Sequence, residues 1–266
     1  MRPQAATGAG RRPPIQSVDR AAALLKAVAA AGHPAGPAEL AAVCGLNRTT
    51  AWRLLSTLEL HGLVEREPGS TRFTVGYGTV QLAATVDSGA LVRRARPALE
   101  RLLEEADETV TLAVPRHFTL EYVDQVDPPP IPNADWRGQR LALHATSGGK
   151  AYLAWLTGDE RAALLDRPLQ RYTEETITDR WTLEEDARQT LARGYATCVG
   201  EYQPYSNGVA APVLDDRGRP VALVSVWGPE QRIPVSRLDE LGEQTIRAAA
   251  AVQARLGGRP GRRKCR

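Results

Sequence analysis

Between Ser17 and Val75 the chain is cut by turn-forming residues at intervals that leave room for three short helices and a hairpin. Val18, Ala22, Leu25 and Val28/Ala29 recur at helical spacing, with Ser17 or Asp19 placed to cap the start. Gly32-His33-Pro34 and Gly36 open a loop, and Pro37 stands where a first helical residue tolerates a missing N–H. The second helix turns Leu40 and Val43/Cys44 inward and stops at Gly45. Asn47 is a good N-cap for a third helix, whose inner face is Ala51, Leu54, Leu55 and Leu58 and which closes at His61-Gly62. Leu63–Arg66 and Arg72–Val75 read as strands around Glu67–Thr71, a stretch with Pro-Gly-Ser turn chemistry. Helix, helix, tight Gly turn, helix and hairpin in this order describe a winged helix-turn-helix.

Charge follows the same division. Residues 1–78 carry nine basic and five acidic groups, and the last ten residues five basic and none acidic. The remaining 178 residues hold 20 basic and 26 acidic groups, so a net +3 conceals a basic front, an acidic body and a basic tail. Only part of such a chain is suited to a polyanion. Residues 1–14, rich in Pro, Gly, Ala and Arg, read as a disordered arm, and 257–266 as a basic tail.

Beyond Gly78 the pattern is mixed. Val92, Ala95, Leu99, Leu102/Leu103 and Ala106 mark an amphipathic helix; Thr109–Val114 and Phe118–Val126 alternate as neighbouring strands. The Pro128-Pro129-Pro130-Ile131-Pro132 run reads as an extended surface loop. Ser147-Gly148-Gly149-Lys150 opens a helix running to Leu156, and Thr182 with Glu185 forms a capping box for another, closed by Gly194. Val209–Leu214 and Val221–Trp227 flank Asp215–Gly218 as a hairpin, and Leu238, Leu241, Thr245, Ala249, Val252 and Leu256 trace a long final helix. Strands framed by helices at both ends predict an α+β sandwich.

Several function classes are excluded. No apolar run reaches the roughly 18–20 residues that span a bilayer, and no apolar stretch follows Arg2, Arg11 and Arg12 as a secretory signal requires. Three scattered cysteines fit a reduced, cytoplasmic chain, and four histidines without metal-ligand spacing give no zinc site; no cofactor is expected. A phosphate-binding Walker loop would need Gly where His144 stands and Ser or Thr where Ala151 stands. Ser225 lacks a Gly-x-Ser-x-Gly setting, Glu184-Glu185 and Asp215-Asp216 sit in capping or turn positions, and Cys198 has no neighbouring base. The expectation is a binding protein and not an enzyme.

Ser17-Val18-Asp19-Arg20-Ala21, Arg53-Leu54-Leu55 with Leu58, and His61-Gly62-Leu63-Val64 resemble the IclR family of bacterial transcription regulators. So do His144–Ala151, Arg193-Gly194-Tyr195-Ala196, Glu201, Ala210–Val213 and Ser225–Pro229, in the family's order. The resemblance covers about residues 15–256. It implies a winged helix-turn-helix (15–78), a linker helix near 77–87 leading into a linker helix region (79–90), and a GAF-like effector and oligomerisation domain (91–256) acting as a dimer or tetramer. One departure is visible: Tyr205 and Ser206 stand where the family usually has a Gly before the strand leading into Ala-Ala-Pro-Val.

The outer face of the third helix offers Arg48, Thr49, Thr50, Trp52, Arg53 and Ser56. Arg48 is placed for a bidentate guanine contact, Thr49 and Thr50 for thymine methyl or phosphate, and Arg53 for phosphate. Arg66 and Arg72 flank the wing turn and suit phosphate or minor-groove contact, while Trp52 is as suited to packing on the hairpin as to DNA. The resemblance also brings Arg20 toward the DNA backbone. In the second domain, Ser147-Gly148-Gly149 at a helix start offers free N–H groups and the positive dipole end, a natural carboxylate seat. The resemblance implies effector contacts at Ser147, Gly148, Cys198, Gly208, Ser225 and Trp227, with Glu201 nearby. The expected function is a ligand-responsive regulator binding double-stranded operator DNA and a small organic acid or other metabolite. The competing reading is a sensor or enzyme whose winged domain mediates protein contacts.

Overall fold

The computed structural model describes residues 15–84, 88–116, 119–129, 134–166 and 168–257. The arm, residues 85–87, Phe118, part of the proline run and nearly all of the basic tail lie outside the described residues. The chain divides into two compact units, 1–87 and 88–266.

In the first unit, α1 (Gln16–Ala31), α2 (Pro37–Val43) and α3 (Arg48–Leu60) precede the hairpin β1 (Val64–Arg66) and β2 (Phe73–Val75), followed by α4 (Tyr77–Ala84). Asn47 caps α3 as expected, its side chain accepting the Thr50 N–H at 2.8 Å. Leu24, Val28, Leu40, Leu55, Val64 and Phe73 make the core. Ala35 exchanges both backbone hydrogen bonds with Phe73 (3.0 and 2.9 Å), so the loop after α1 adds a third edge to the wing.

Two details of the first helices differ from the sequence reading. The cap residue of α1 is Ile15, without a side-chain hydrogen bond, so Ser17 and Asp19 lie inside the first turn. The buried stripe is Leu24 and Val28 with Ala21 and Leu25 beside them; Val18, Ala22 and Ala29 face solvent. In an alanine-rich helix the apolar stripe is broad enough to be read one position out of phase. On α2, Ala41 accompanies Leu40 into the core while Val43 is exposed and Cys44 half-buried.

The second unit begins with α5 (Gly89–Ala106) and the strands β3 (Thr109–Arg116) and β4 (Thr119–Val126). Helices α6 (Ser147–Ala154), α7 (Gly158–Leu164) and α8 (Arg180–Arg193) follow. Strands β5 (Ala196–Val199), β6 (Ser206–Leu214) and β7 (Pro220–Pro229) then lead to α9 (Leu238–Arg255). The strands form one antiparallel sheet in the order β4-β3-β7-β6-β5. Val110, Leu112, Val224 and Val226 pack with Leu99 of α5 and Leu241 of α9 in one core cluster. Ala113, Ala210 and Leu223, at alternate positions, pack with Ala151 of α6 in another. This is the α/β sandwich expected. Helix α6 ends at Ala154, short of Leu156, and α8 is capped by Asp179, which accepts the Thr182 N–H at 2.8 Å. Asp179 precedes Thr182 with the same cap chemistry, so the Thr182–Glu185 box gives way to a helix that starts earlier. Gly194 closes α8 at φ 91° as expected.

Phe73 is fully buried, so Phe73→Ala should destabilise the winged unit by about 3–5 kcal/mol. Hydrogen exchange of the whole chain should speed up across α1–β2 and stay unchanged in the five-stranded sheet; uniform acceleration would contradict the division into two cores.

Candidate DNA face and effector pocket

On the winged unit, Arg48 and Thr49 are exposed at the start of α3, with Thr50 half-exposed beside them. Arg53 is exposed one turn later, and Ser56 and Arg20 are half-buried. Arg20, Arg48 and Arg53 have no ion-pair partner among the described residues, which leaves their guanidinium groups available. The wing arginines are placed differently. Arg66 pairs with Glu59 of α3 at 2.7 Å and lies over the rings of Trp52 and Phe73, at 5.0 and 5.3 Å from their centroids. Arg72 is exposed, and one of its N–H groups reaches the Pro34 carbonyl at 3.0 Å. Trp52 meets Phe73 edge-to-face at 6.0 Å, so it packs on the hairpin.

In the second unit a solvent-open cleft lies between α6 and the sheet, with about 480 Å³ of non-atom space when the open solvent at its mouth is counted. Of the seven residues expected there, Ser147, Cys198, Gly208, Ser225 and Trp227 line it. They converge because Cys198 pairs with Gly208, and Gly208 with Trp227, across β5, β6 and β7. A Cβ on Gly208 would stand 2.9 Å from that of Trp227, so only glycine leaves the indole this place. Gly148 sits in the first turn of α6, where a Cβ would lie 3.3 Å from Ser225 Oγ. The turn therefore comes down onto the serine. Thr146 caps the helix through the Gly149 N–H (3.1 Å), and the Ser147 and Gly148 N–H groups precede any intrahelical acceptor. The buried Ser225 hydroxyl has no partner among the described residues.

Glu201 is not among the lining residues. It is buried, and it accepts from Lys150 Nζ at 2.7 Å; Lys150 also faces Asp186 of α8 at 3.3 Å. Burial pulls the Lys150 ammonium down, but Glu201 and Asp186 outweigh it and hold the group above the ordinary lysine range. Burial pushes Glu201 upward despite Lys150, and one of its oxygens is unpartnered. Burial and then the Glu201 charge push the Cys198 thiol up to about 11, so it stays neutral and donates to the Ala145 carbonyl. Burial likewise raises the Tyr122 phenol. No Asp, Glu, Lys, Arg or His is among the described lining residues.

Tyr122, Trp136 and Tyr202 were not foreseen. Trp136 meets Trp227 at 6.0 Å, Tyr122 at 6.3 Å and Tyr202 at 6.2 Å, all edge-to-face. Tyr122 was legible as an aromatic on a predicted strand; Trp136 and Tyr202 arrive from loops and left no periodic signal. Tyr205, where the family usually has glycine, adopts φ 61° at the end of the strap between β5 and β6, a conformation that costs an ordinary side chain roughly 1–2 kcal/mol. Lys150→Met should destabilise this unit by about 3–5 kcal/mol by leaving Glu201 buried and unpaired. Adding Glu201→Gln should restore much of the loss in urea denaturation; strictly additive losses would mean that the two groups do not form a pair.

Two family models cover the chain in succession: the IclR helix-turn-helix domain over residues 17–68 and the bacterial transcriptional regulator IclR C-terminal domain over 83–254. The transcriptional repressor IclR of Escherichia coli (strain K12) is 32% identical over 92% of this chain and 91% of its own length. The acetate operon repressor of Salmonella typhimurium is 32% identical over 97% of this chain and 96% of its own. A solved IclR homologue from Microbacterium hydrocarbonoxydans, complexed with 4-hydroxybenzoate, shares the fold with a TM-score of 0.59 and 23% identity, over 91% of this chain and 99% of that one. No helix among the described residues is long and apolar enough to cross a membrane. The helix-turn-helix and the C-terminal domain are thus parts of one regulatory molecule, and the chain belongs to the IclR family of bacterial transcriptional regulators, DNA-binding proteins with a C-terminal effector domain.

Proposed function

We propose that this protein is a repressor that holds a palindromic operator as a homodimer, or a pair of such dimers, and that a small carboxylate changes its hold on DNA. The observation that carries the DNA side is that Arg48 and Arg53 of α3 and Arg20 of α1 have no ion-pair partner among the described residues. Arg48 reads a guanine from the N-terminal turn of α3, Thr49 and Thr50 contact a thymine methyl or phosphate, and Arg20, Arg53 and Ser56 hold the backbone. Arg72 contacts phosphate from the wing, while Arg66 positions the wing through Glu59. Two copies on one site multiply both affinity and specificity.

On the effector side, the carboxylate sits on the Ser147 and Gly148 N–H groups and takes the orphan Ser225 hydroxyl, with Trp227 as a wall. The positive end of α6 supplies the charge complement that the uncharged lining lacks. The relative solved with 4-hydroxybenzoate supports an acid as ligand. Helix α4 and the residues after it carry the change between the units, with a coupling of roughly 1–3 kcal/mol. The repressor names of the two bacterial relatives support repression over activation.

In a mobility-shift assay on the duplex upstream of its own gene, Arg48→Ala should cost about 1–3 kcal/mol on the operator and little on random duplex. Arg53→Ala should weaken both and reduce the salt slope by about one. Unchanged operator selectivity in Arg48→Ala would remove α3 as the reading element. Ser225→Ala and Trp227→Ala should keep operator affinity and alter only the response to added carboxylates.

A further inference from the structure

We propose that the second unit carries a DNA contact of its own: one end of its α5–α9 layer holds the phosphates of duplex DNA, without reading sequence, beyond the stretch that the winged unit reads.

The acidic body of the chain is not acidic throughout. Residues 88–99 hold three arginines and no acid, whereas 100–108 hold one arginine and five acids. Along α9 the order is reversed: residues 238–244 hold three acids and no basic residue, and 245–266 seven basic residues and no acid. The fold turns these two gradients into one. Arg237, just before α9, donates to the Ala106 carbonyl at the end of α5 (2.7 Å), and Arg247 meets Glu105 at 3.4 Å, so the helices run antiparallel. Each has 18 residues, about 27 Å of length, so the last turn of α9 lies beside the first turns of α5. Pro97 and Arg101 of α5 accordingly share a groove with Ala251 and Arg255 of α9. Arg93, Arg94 and Arg255 thus gather at one end of the layer with Arg101 two turns further in, and the acids lie toward the other end. Arg116 joins the basic end, donating to the Ser88 hydroxyl at 2.5 Å immediately before α5.

The fold makes no ion pair with these charges. Arg93, Arg94, Arg101, Arg116 and Arg255 are exposed and have no acidic partner among the described residues. Arg96 shows the contrast, neutralised by Asp124 at 2.6 Å and Glu100 at 3.1 Å. A helix dipole favours acids at the start of a helix and basic groups at its end; α5 has the opposite order, with no acid in its first turn. Like charges kept together against that preference are suited to an external anion.

Their spacing and their place in the chain narrow the anion. Arg94 and Arg101 stand two turns apart on one stripe of α5, about 10 Å along its axis. Charges so spread do not close around one small ion; they suit a polymer that repeats its charge every ~3.4 Å along each strand. The chain also arrives at this end from the DNA-binding unit, α5 starting five residues after α4 stops. It leaves the same end toward Arg259, Arg262, Arg263, Lys264 and Arg266.

Fluorescence anisotropy of the full-length protein on a random duplex of about 40 base pairs, from about 50 to 200 mM salt, tests the contact. Arg93→Ala/Arg94→Ala/Arg255→Ala should lower the slope of log K against log salt by about two to three per bound copy, so that the advantage of the wild type shrinks at least about tenfold over that range. Arg137→Ala/Arg180→Ala/Arg188→Ala removes the same charge from exposed ion pairs elsewhere on the unit and should leave the slope as in the wild type. Urea midpoints check that both triples are folded; if alanine lowers the first, the corresponding glutamine triple, which keeps polar stems there, is read in its place. A wild-type slope in the α5–α9 triple, or an equal fall in the control, would overturn the proposal. So would a changed oligomeric state in light scattering with an unchanged slope, which would make this end a seat for a second copy of the chain. Should Arg53→Ala leave random-duplex binding intact while the α5–α9 triple weakens it, the backbone contact assigned to α3 fails and this one stands.

Discussion

One buried ammonium ties together two segments that border the cleft and the helix packed beside them. Lys150 belongs to α6, Glu201 to the strap between β5 and β6, and Asp186 to α8, and their charges meet within 3.3 Å. Such a group is a poor source of net stability, because desolvation cancels much of the Coulomb attraction. What it supplies is register. The turn of α6 that faces the cleft stands one helical turn before Lys150, and Tyr202, on the cleft wall, directly follows Glu201. If the pair separated, the seat and the wall would lose their fixed distance. An apolar contact at the same place would let the strap slide.

The winged unit uses charge in a related way. Arg66, which sequence alone would send to DNA, joins the wing to α3 through Glu59 and covers Trp52 and Phe73. A reading helix needs its neighbours fixed as much as it needs free cations, and the unit divides its arginines between the two tasks. Arg48 and Arg53 stay unpaired because the first turns of α3 carry no acidic residue.

Much of this was legible from spacing and punctuation. Asn47 and Gly194 gave their helix ends because cap and left-handed chemistry are local. The strands β6 and β7 were readable because Val209–Leu214 and Val221–Trp227 flank a polar turn. Where signals were degenerate the reading slipped: the alanines of α1 allowed two phases, and Asp179 competed with Thr182 for one cap. The short β5 and α7 carry too few residues for a period to emerge. Trp136 and Glu201 were opaque as to role for a different reason, since their significance lies in partners reached through loop geometry, 51 residues distant for Glu201 and Lys150.

The absence of charge among the described lining residues has a consequence for how operator and the proposed effector would influence each other. Association with DNA expels condensed counterions and weakens steeply as salt rises. An acid held in a sheltered site by backbone N–H groups and one hydroxyl is screened far less. The two equilibria proposed for this regulator thus answer to ionic strength on different scales. In a more concentrated electrolyte the operator grip loosens while the effector grip hardly changes, so a smaller coupling between the sites suffices for release. With an acid on the proposed seat, a rise in salt would sensitise the molecule to its effector without altering a single contact in the cleft.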